Sequence, residues 1–236
     1  VIEIRQAASV KVLGRAAIAF RPQSSTSRAT ADRAAPKMEP RGDPDSDACA
    51  APGPPARAYH QRLSRQKTML FQPPLPPFYS TASDDVLRAQ IRERKRQLGP
   101  RLVILGHHYQ QHEVIQFADF IGDSLKLSQL GAKQNHAEFI VFCGVHFMAE
   151  SADILSEEHV KVILPDLSAG CSMADMAELE QLEDAWGFLV GDTGRRFIPI
   201  TYVNSAASIK AFCGAHGGAC CTSSNARAIL EWAFAE

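Results

Sequence analysis

The sequence predicts an α/β fold of short parallel sheets in three αβα layers, on three observations. Short apolar runs alternate with amphipathic stretches of helical length. The loops between them are brief, which implies crossover connections and a parallel sheet. A polar cluster follows each run at once, where ligands of parallel α/β sheets collect. The plainest case is Arg101-Leu-Val-Ile-Leu-Gly-His-His-Tyr-Gln110, an apolar run that stops at Gly106 and delivers His107, His108 and Tyr109 together.

Composition sets the limits. A chain of 236 residues with 45% hydrophobic content can bury one sizeable core or two small ones. Nothing in it approaches the ~18 to 20 apolar residues of a membrane span. Residues 1–68 carry 12 Lys/Arg against 6 Asp/Glu, and the remainder 13 against 20, a net −7. An acidic folded part argues against a nucleic-acid surface and for small-molecule chemistry.

Residues 1–68 are rich in Ala, Arg, Pro and Ser without sustained periodicity, and with the stiff arm Gln72-Pro-Pro-Leu-Pro-Pro-Phe78 they predict a disordered tail and extended arm over 1–82. The first thirty residues have the Arg- and Ser-rich, acid-poor character of transit peptides, but no cleavage signature follows, so a cytoplasmic location is expected. Because ordered-looking sequence starts after Met69, Met69 is a candidate start, which N-terminal sequencing of the native protein would check.

A first α/β domain is expected over 83–170. Ser83-Asp-Asp85 caps a charged helix to about Leu98, ended by Gly99-Pro100. After the strand to His107, helices over 112–120 and 124–134, a strand over 138–143, a helix over 146–155 and a strand over 160–164 follow. A second domain over 171–236 repeats this grammar: a helix over 173–186, a strand over 197–203, a helix over 206–212, a strand end at 219–221 and a helix from Asn225. Between 187 and 197, Gly191-Asp-Thr-Gly194 and two arginines predict a solvated turn. The second domain is expected to be incomplete, because so few strands bury their apolar faces poorly.

Cys49, Cys143, Cys171, Cys213, Cys220 and Cys221 form no Cys-x-x-Cys pair, so reduced, largely buried thiols are expected. Cys143 and His146 have the spacing of half a zinc site without a second half. Cys171 opens a predicted helix, where the dipole favours thiolate; nucleophile, metal ligand and buried cap all stay open. His107 and Tyr109 suit an acid/base pair or a clamp on a polar substrate, with His108 facing the other way. Ser124 and the Thr222-Ser-Ser-Asn225 cluster stand at helix starts, as anion contacts or as ordinary N-caps.

Six motifs in order, Leu105-Gly-His-His-Tyr-Gln110, Ala118-Asp-Phe-Ile-Gly-Asp-Ser-Leu125, Phe142-Cys-Gly-Val-His-Phe-Met-Ala-Glu150, Leu164-Pro-Asp-Leu-Ser-Ala-Gly-Cys-Ser-Met-Ala174, Tyr202-Val-Asn-Ser205 and Cys221-Thr-Ser-Ser-Asn-Ala226, resemble the quinolinate synthase family from about Ser83 onward. The resemblance implies three similar α/β domains about a pseudo-threefold axis. It also implies a [4Fe-4S] enzyme of NAD biosynthesis that condenses iminoaspartate with dihydroxyacetone phosphate to quinolinate, with one iron open as a Lewis acid. It makes Cys171 a cluster ligand, His107 and Tyr109 the catalytic pair, and His107, Ser124, Tyr202, Asn204 and Ser223 substrate contacts. A functional link to L-aspartate oxidase or aspartate dehydrogenase is implied as well, and no membrane or nucleic-acid partner.

The family's other two cluster cysteines and third domain correspond to sequence beyond Glu236, so the chain is expected to be an inactive, C-terminally truncated piece. A cluster-free α/β module binding phosphate or carboxylate is the alternative. Iron absorbance separates the two.

Overall fold

The computed structural model describes residues 2–4, 6, 8–18, 72–193 and 195–236. All of them belong to one compact unit. Its larger sheet has five strands, β1 (Ile2–Ile4), β2 (Leu102–His107), β3 (Phe120–Gly122), β4 (Phe139–Cys143) and β5 (Lys161–Leu164), in the order β1-β5-β4-β2-β3. Strands β2 to β5 are parallel, and β1 lies antiparallel on β5. A second sheet pairs β6 (Ile200–Tyr202) with β7 (Ala219–Cys221), also parallel. The predicted class of α/β fold with short parallel sheets is the one observed.

The helices are α1 (Ala8–Ile18), α2 (Pro77–Thr81), α3 (Asp84–Leu98), α4 (His112–Ile115), α5 (Ser124–Ala132), α6 (His146–Leu155), α7 (Leu179–Thr193), α8 (Ala207–Ala215) and α9 (Ala226–Ala235). Leu105, Ile140, Phe142, Val162 and Leu164 from the strands bury against Leu127, Phe147, Met148 and Ala152 from α5 and α6. Each fully buried side chain of this kind contributes about 1.5–3 kcal/mol. Helix α6 is central: every residue from Phe147 to Ile154 is buried.

The structure refines three expectations. First, within the tail and arm expected over 1–82, the described residues 8–18 and 77–81 are helical. Val10, Gly14, Ala17 and Ile18 bury one face of α1 at helical spacing, a stripe hidden by the Ala- and Arg-rich composition around it. The buried Lys11 ammonium lies 2.8 Å from the Asp153 carboxylate, and Arg15 donates to the carbonyls of Ile154 and Ser156 at the end of α6. Gly214 of α8 faces the Leu13 carbonyl so closely that any Cβ there would collide with it. At the other end of the expected tail, Pro77–Thr81 is helical. The proline arm at 72–76 is held where the Leu167 N–H donates to the Gln72 side-chain oxygen at 2.6 Å. Residues 19–71, with Cys49 and Met69, lie outside the described residues.

Second, the helix expected over 112–120 stops at Ile115, and Phe120–Gly122 is a strand. Asp119 makes the change: its N–H donates to the Ile104 carbonyl at 2.8 Å and its carboxylate accepts the Ile104 N–H at 2.9 Å, copying a ladder pair before β3 begins. Lys95 of α3 holds the same carboxylate at 2.7 Å. Third, the helix expected over 173–186 starts later, at Leu179, and runs through Thr193, so the turn predicted from Gly191-Asp-Thr-Gly194 is largely helix. Residue 194 itself is outside the described residues.

Candidate functional site

Strand β2 ends at His107, which is 5% exposed. Gly106 lets it approach. A Cβ at Gly106 would lie 2.7 Å from the Ile115 side chain and 3.0 Å from Ala118, so the chain after α4 packs against β2 where no side chain fits. Gly106→Ala is expected to lower stability by about 1–3 kcal/mol through this overpacking, read from the denaturant midpoint.

His107 and Tyr109 fold back on each other, with ring centres 3.8 Å apart. The Tyr109 N–H points at His107 Nδ1 at 3.5 Å, and its hydroxyl lies 4.0 Å from Met148 Sδ. His108 turns outward, with Nδ1 3.2 Å from the Gly122 carbonyl. Desolvation pushes the His107 pKa down to about 4, the neighbouring His108 adds to the shift, and Asp123 opposes it. Burial first, and then the Cys171 sulfur, raise the Tyr109 phenol. At neutral pH the pair is an uncharged imidazole beside a protonated phenol.

Ser124 opens α5 two residues after β3, whose Gly122 is in register with His107. The cap of that helix is Asp123, whose side chain accepts the Lys126 N–H at 2.9 Å. Ser124 is therefore not needed as the N-cap and stands at the helix N-terminus, two residues after the register partner of His107. The Asp166–Cys171 loop follows β5. In it the Ala169 carbonyl accepts the His146 N–H at 3.0 Å, and Asp166 holds the Ser168 N–H at 2.9 Å.

The second sheet faces the same place with its own carboxyl ends. Tyr202, closing β6, has its hydroxyl 2.6 Å from the Ser223 hydroxyl beyond β7. Asn204 directs its amide toward Cys171 Sγ at 3.8 Å. Thr222 and Asn225 bond to each other, the Thr222 N–H donating to Asn225 Oδ1 at 2.6 Å, which frees Ser223 for Tyr202. All seven residues singled out in the sequence, His107, Tyr109, Ser124, Cys171, Tyr202, Asn204 and Ser223, thus stand at strand carboxyl ends or in the loops after them. Direct contacts join His107 to Tyr109, Tyr202 to Ser223 and Asn204 to Cys171.

The thiols differ in kind. Burial pushes Cys143 and Cys220 up to about 11 and Cys213 up to about 12, and also raises Cys221. Desolvation thus keeps these four thiols protonated at neutral pH. His146 turns its Nδ1 to 3.7 Å from Glu150. Among the described residues no group of three or more His, Cys, Asp or Glu is arranged to hold a metal ion. An iron–sulfur cluster needs three or four thiolates; the described residues alone do not complete such a set.

A family profile described as Quinolinate synthetase A protein matches residues 89–236. The chain belongs to that family. Quinolinate synthase of Geobacillus thermodenitrificans is 60% identical over 162 residues, 69% of this chain and 44% of the relative. The Halalkalibacterium halodurans enzyme of that name is 57% identical over 162 residues, again 69% and 44%. That of Corynebacterium glutamicum is 58% identical over 161 residues, 68% and 41%. The chain spans less than half the length of these quinolinate synthases.

Two residues of the site were missed in the sequence. Met148, under the Tyr109 hydroxyl, carries no signal that separates it from core. Asp123, which caps α5 in place of Ser124, carries the ordinary signature of an acid before Ser-Leu-Lys-Leu. No helix among the described residues is long and apolar enough to cross a membrane.

Proposed function

We propose that this chain supplies part of a quinolinate synthase site, for the condensation of iminoaspartate with dihydroxyacetone phosphate with loss of phosphate and water. The observation that carries the reading is the convergence of two parallel sheets on one place, marked by the Asn204 amide at the Cys171 sulfur. Tyr202 and Ser223 offer paired hydroxyls, and Ser124 adds another at a helix N-terminus, a set suited to phosphate and carboxylate. Neutral His107 accepts or relays a proton, and protonated Tyr109 donates to a developing oxyanion.

Cys171 is proposed as one ligand of a [4Fe-4S] cluster whose other two thiolates come from a longer chain. When bound, the cluster supplies a Lewis acid for the dehydration. An aspartate-oxidising enzyme, L-aspartate oxidase or aspartate dehydrogenase, would supply the iminoaspartate, in the cytoplasm.

The test is anaerobic reconstitution with iron and sulfide, of the 236-residue chain and of a form extended to the length of the relatives. The short form is expected to lose iron on desalting and make no quinolinate, because one thiolate holds a cluster poorly. A short form that keeps a stable cluster of about four irons would refute this. In the extended form, Cys171→Ala should abolish cluster retention, and Tyr109→Phe should keep the cluster and slow turnover. Cluster loss in the Tyr109 variant would mean that the site is misassigned.

A further inference from the structure

Helix α8 starts directly below the turn that carries Tyr202 and Asn204, and its N-cap residue, Ala206, has no side chain able to cap it. The cap comes from another helix. Glu150 of the buried helix α6, 7% exposed, accepts the Ala207 N–H on Oε2 at 2.9 Å. Its other oxygen takes a hydrogen bond from the Gln6 amide at 3.2 Å and lies 3.7 Å from His146 Nδ1.

One turn along α8, Lys210 has no exposed surface. Its ammonium donates to the Ser205 carbonyl at 2.5 Å and sits 5.4 Å from the centre of the Phe147 ring. The turn is tied on its own side too, where the Ser205 hydroxyl donates to the Tyr202 carbonyl at 2.8 Å and the Val203 N–H to the Cys221 carbonyl at 2.8 Å.

We infer that Glu150 and Lys210 are positioning residues, which clamp the 202–206 turn from below so that Tyr202 meets Ser223 and Asn204 meets Cys171. Burying a carboxylate and an ammonium costs desolvation that an apolar pair of similar volume would avoid. What the charged groups add is direction. One fixes the N–H just after the turn and the other a carbonyl within it, while Tyr202 and Asn204 of the same turn reach Ser223 and Cys171. The clamp also ties the second sheet's loop to the helix whose Met148 touches Tyr109, so both halves of the site share one support. Its functional weight rests on the proposed role of Tyr202 and Asn204 as substrate contacts.

The test uses the full chain labelled with 3-fluorotyrosine. Fluorine NMR reads its four tyrosines, with Tyr202 assigned through Tyr202→Phe. Glu150→Ala is expected to shift and broaden the Tyr202 line while leaving the distant Tyr79 line in place. Glu150→Gln, which keeps an acceptor for the Ala207 N–H, should restore the wild-type line. A Tyr202 line unmoved by Glu150→Ala, or moved equally by Glu150→Gln, overturns the inference and leaves Glu150 a support for stability alone. Should Glu150→Ala not fold, Lys210→Met reads the other arm of the clamp by the same line, and an unmoved line again overturns it. Adding dihydroxyacetone phosphate to the wild type tests the substrate reading separately: if Tyr202 ignores it but responds to the Glu150 variants, the clamp stands and the proposed substrate contact falls.

Discussion

Lys11→Met is expected to destabilise the protein by about 3–5 kcal/mol, the usual cost of removing one partner from a buried ion pair. Asp153 is 2% exposed in the middle of α6, and the Lys11 ammonium lies 2.8 Å from one of its oxygens, with the Gln6 N–H donating to the other at 2.8 Å. Taking away the ammonium removes a charge whose attraction offsets part of the desolvation of a buried carboxylate. The double variant Lys11→Met, Asp153→Leu should recover much of the loss, since the carboxylate that needed compensation is then gone. Urea unfolding of the wild type, both single variants and the double variant closes the cycle. A Lys11→Met midpoint equal to wild type would mean that α1 does not pack on α6 in solution.

Acid is expected to weaken the fold through His107. The folded imidazole has its pKa near 4, against 6.5 for an unperturbed histidine. Between those values the unfolded chain holds a proton that the folded one refuses, so stability rises with pH across the window. The full contribution is present above pH ~6.5 and is lost as pH falls to ~4, a difference of about 3 kcal/mol at most. His107→Gln removes this titration. Its stability, followed from pH 7 to pH 4, should fall less steeply than that of the wild type. Parallel curves would mean that His107 is solvated enough to protonate in place.

The fold's grammar was legible because short apolar runs such as 102–105 and 139–142 have few alternatives once Gly106 and Gly144 end them. The candidate site was legible only as a set of strand ends, and the contacts Tyr202–Ser223 and Asn204–Cys171 are not readable from sequence spacing. Three features were not legible, each for its own reason. Strand β3 is three residues long and owes its place to Asp119, whose backbone mimicry has no sequence pattern. Helix α1 has an apolar stripe diluted by small residues, and its value depends on Gly214, two hundred positions away. The cap of α8 comes from Glu150 on another helix, whereas local capping rules look only within a few residues of the helix start.

The antiparallel pairing of β1 with β5 bears on how a chain begun at Met69 would behave in solution. Without Ile2–Ile4, the backbone of Val162 to Leu164 would face solvent as an unfilled ladder, a template for strands from neighbouring molecules. Such a chain should draw its own copies into edge-to-edge aggregates unless another segment of the polypeptide takes that berth. Ile2–Ile4 thus fill the ladder at the margin of the sheet farthest from β3.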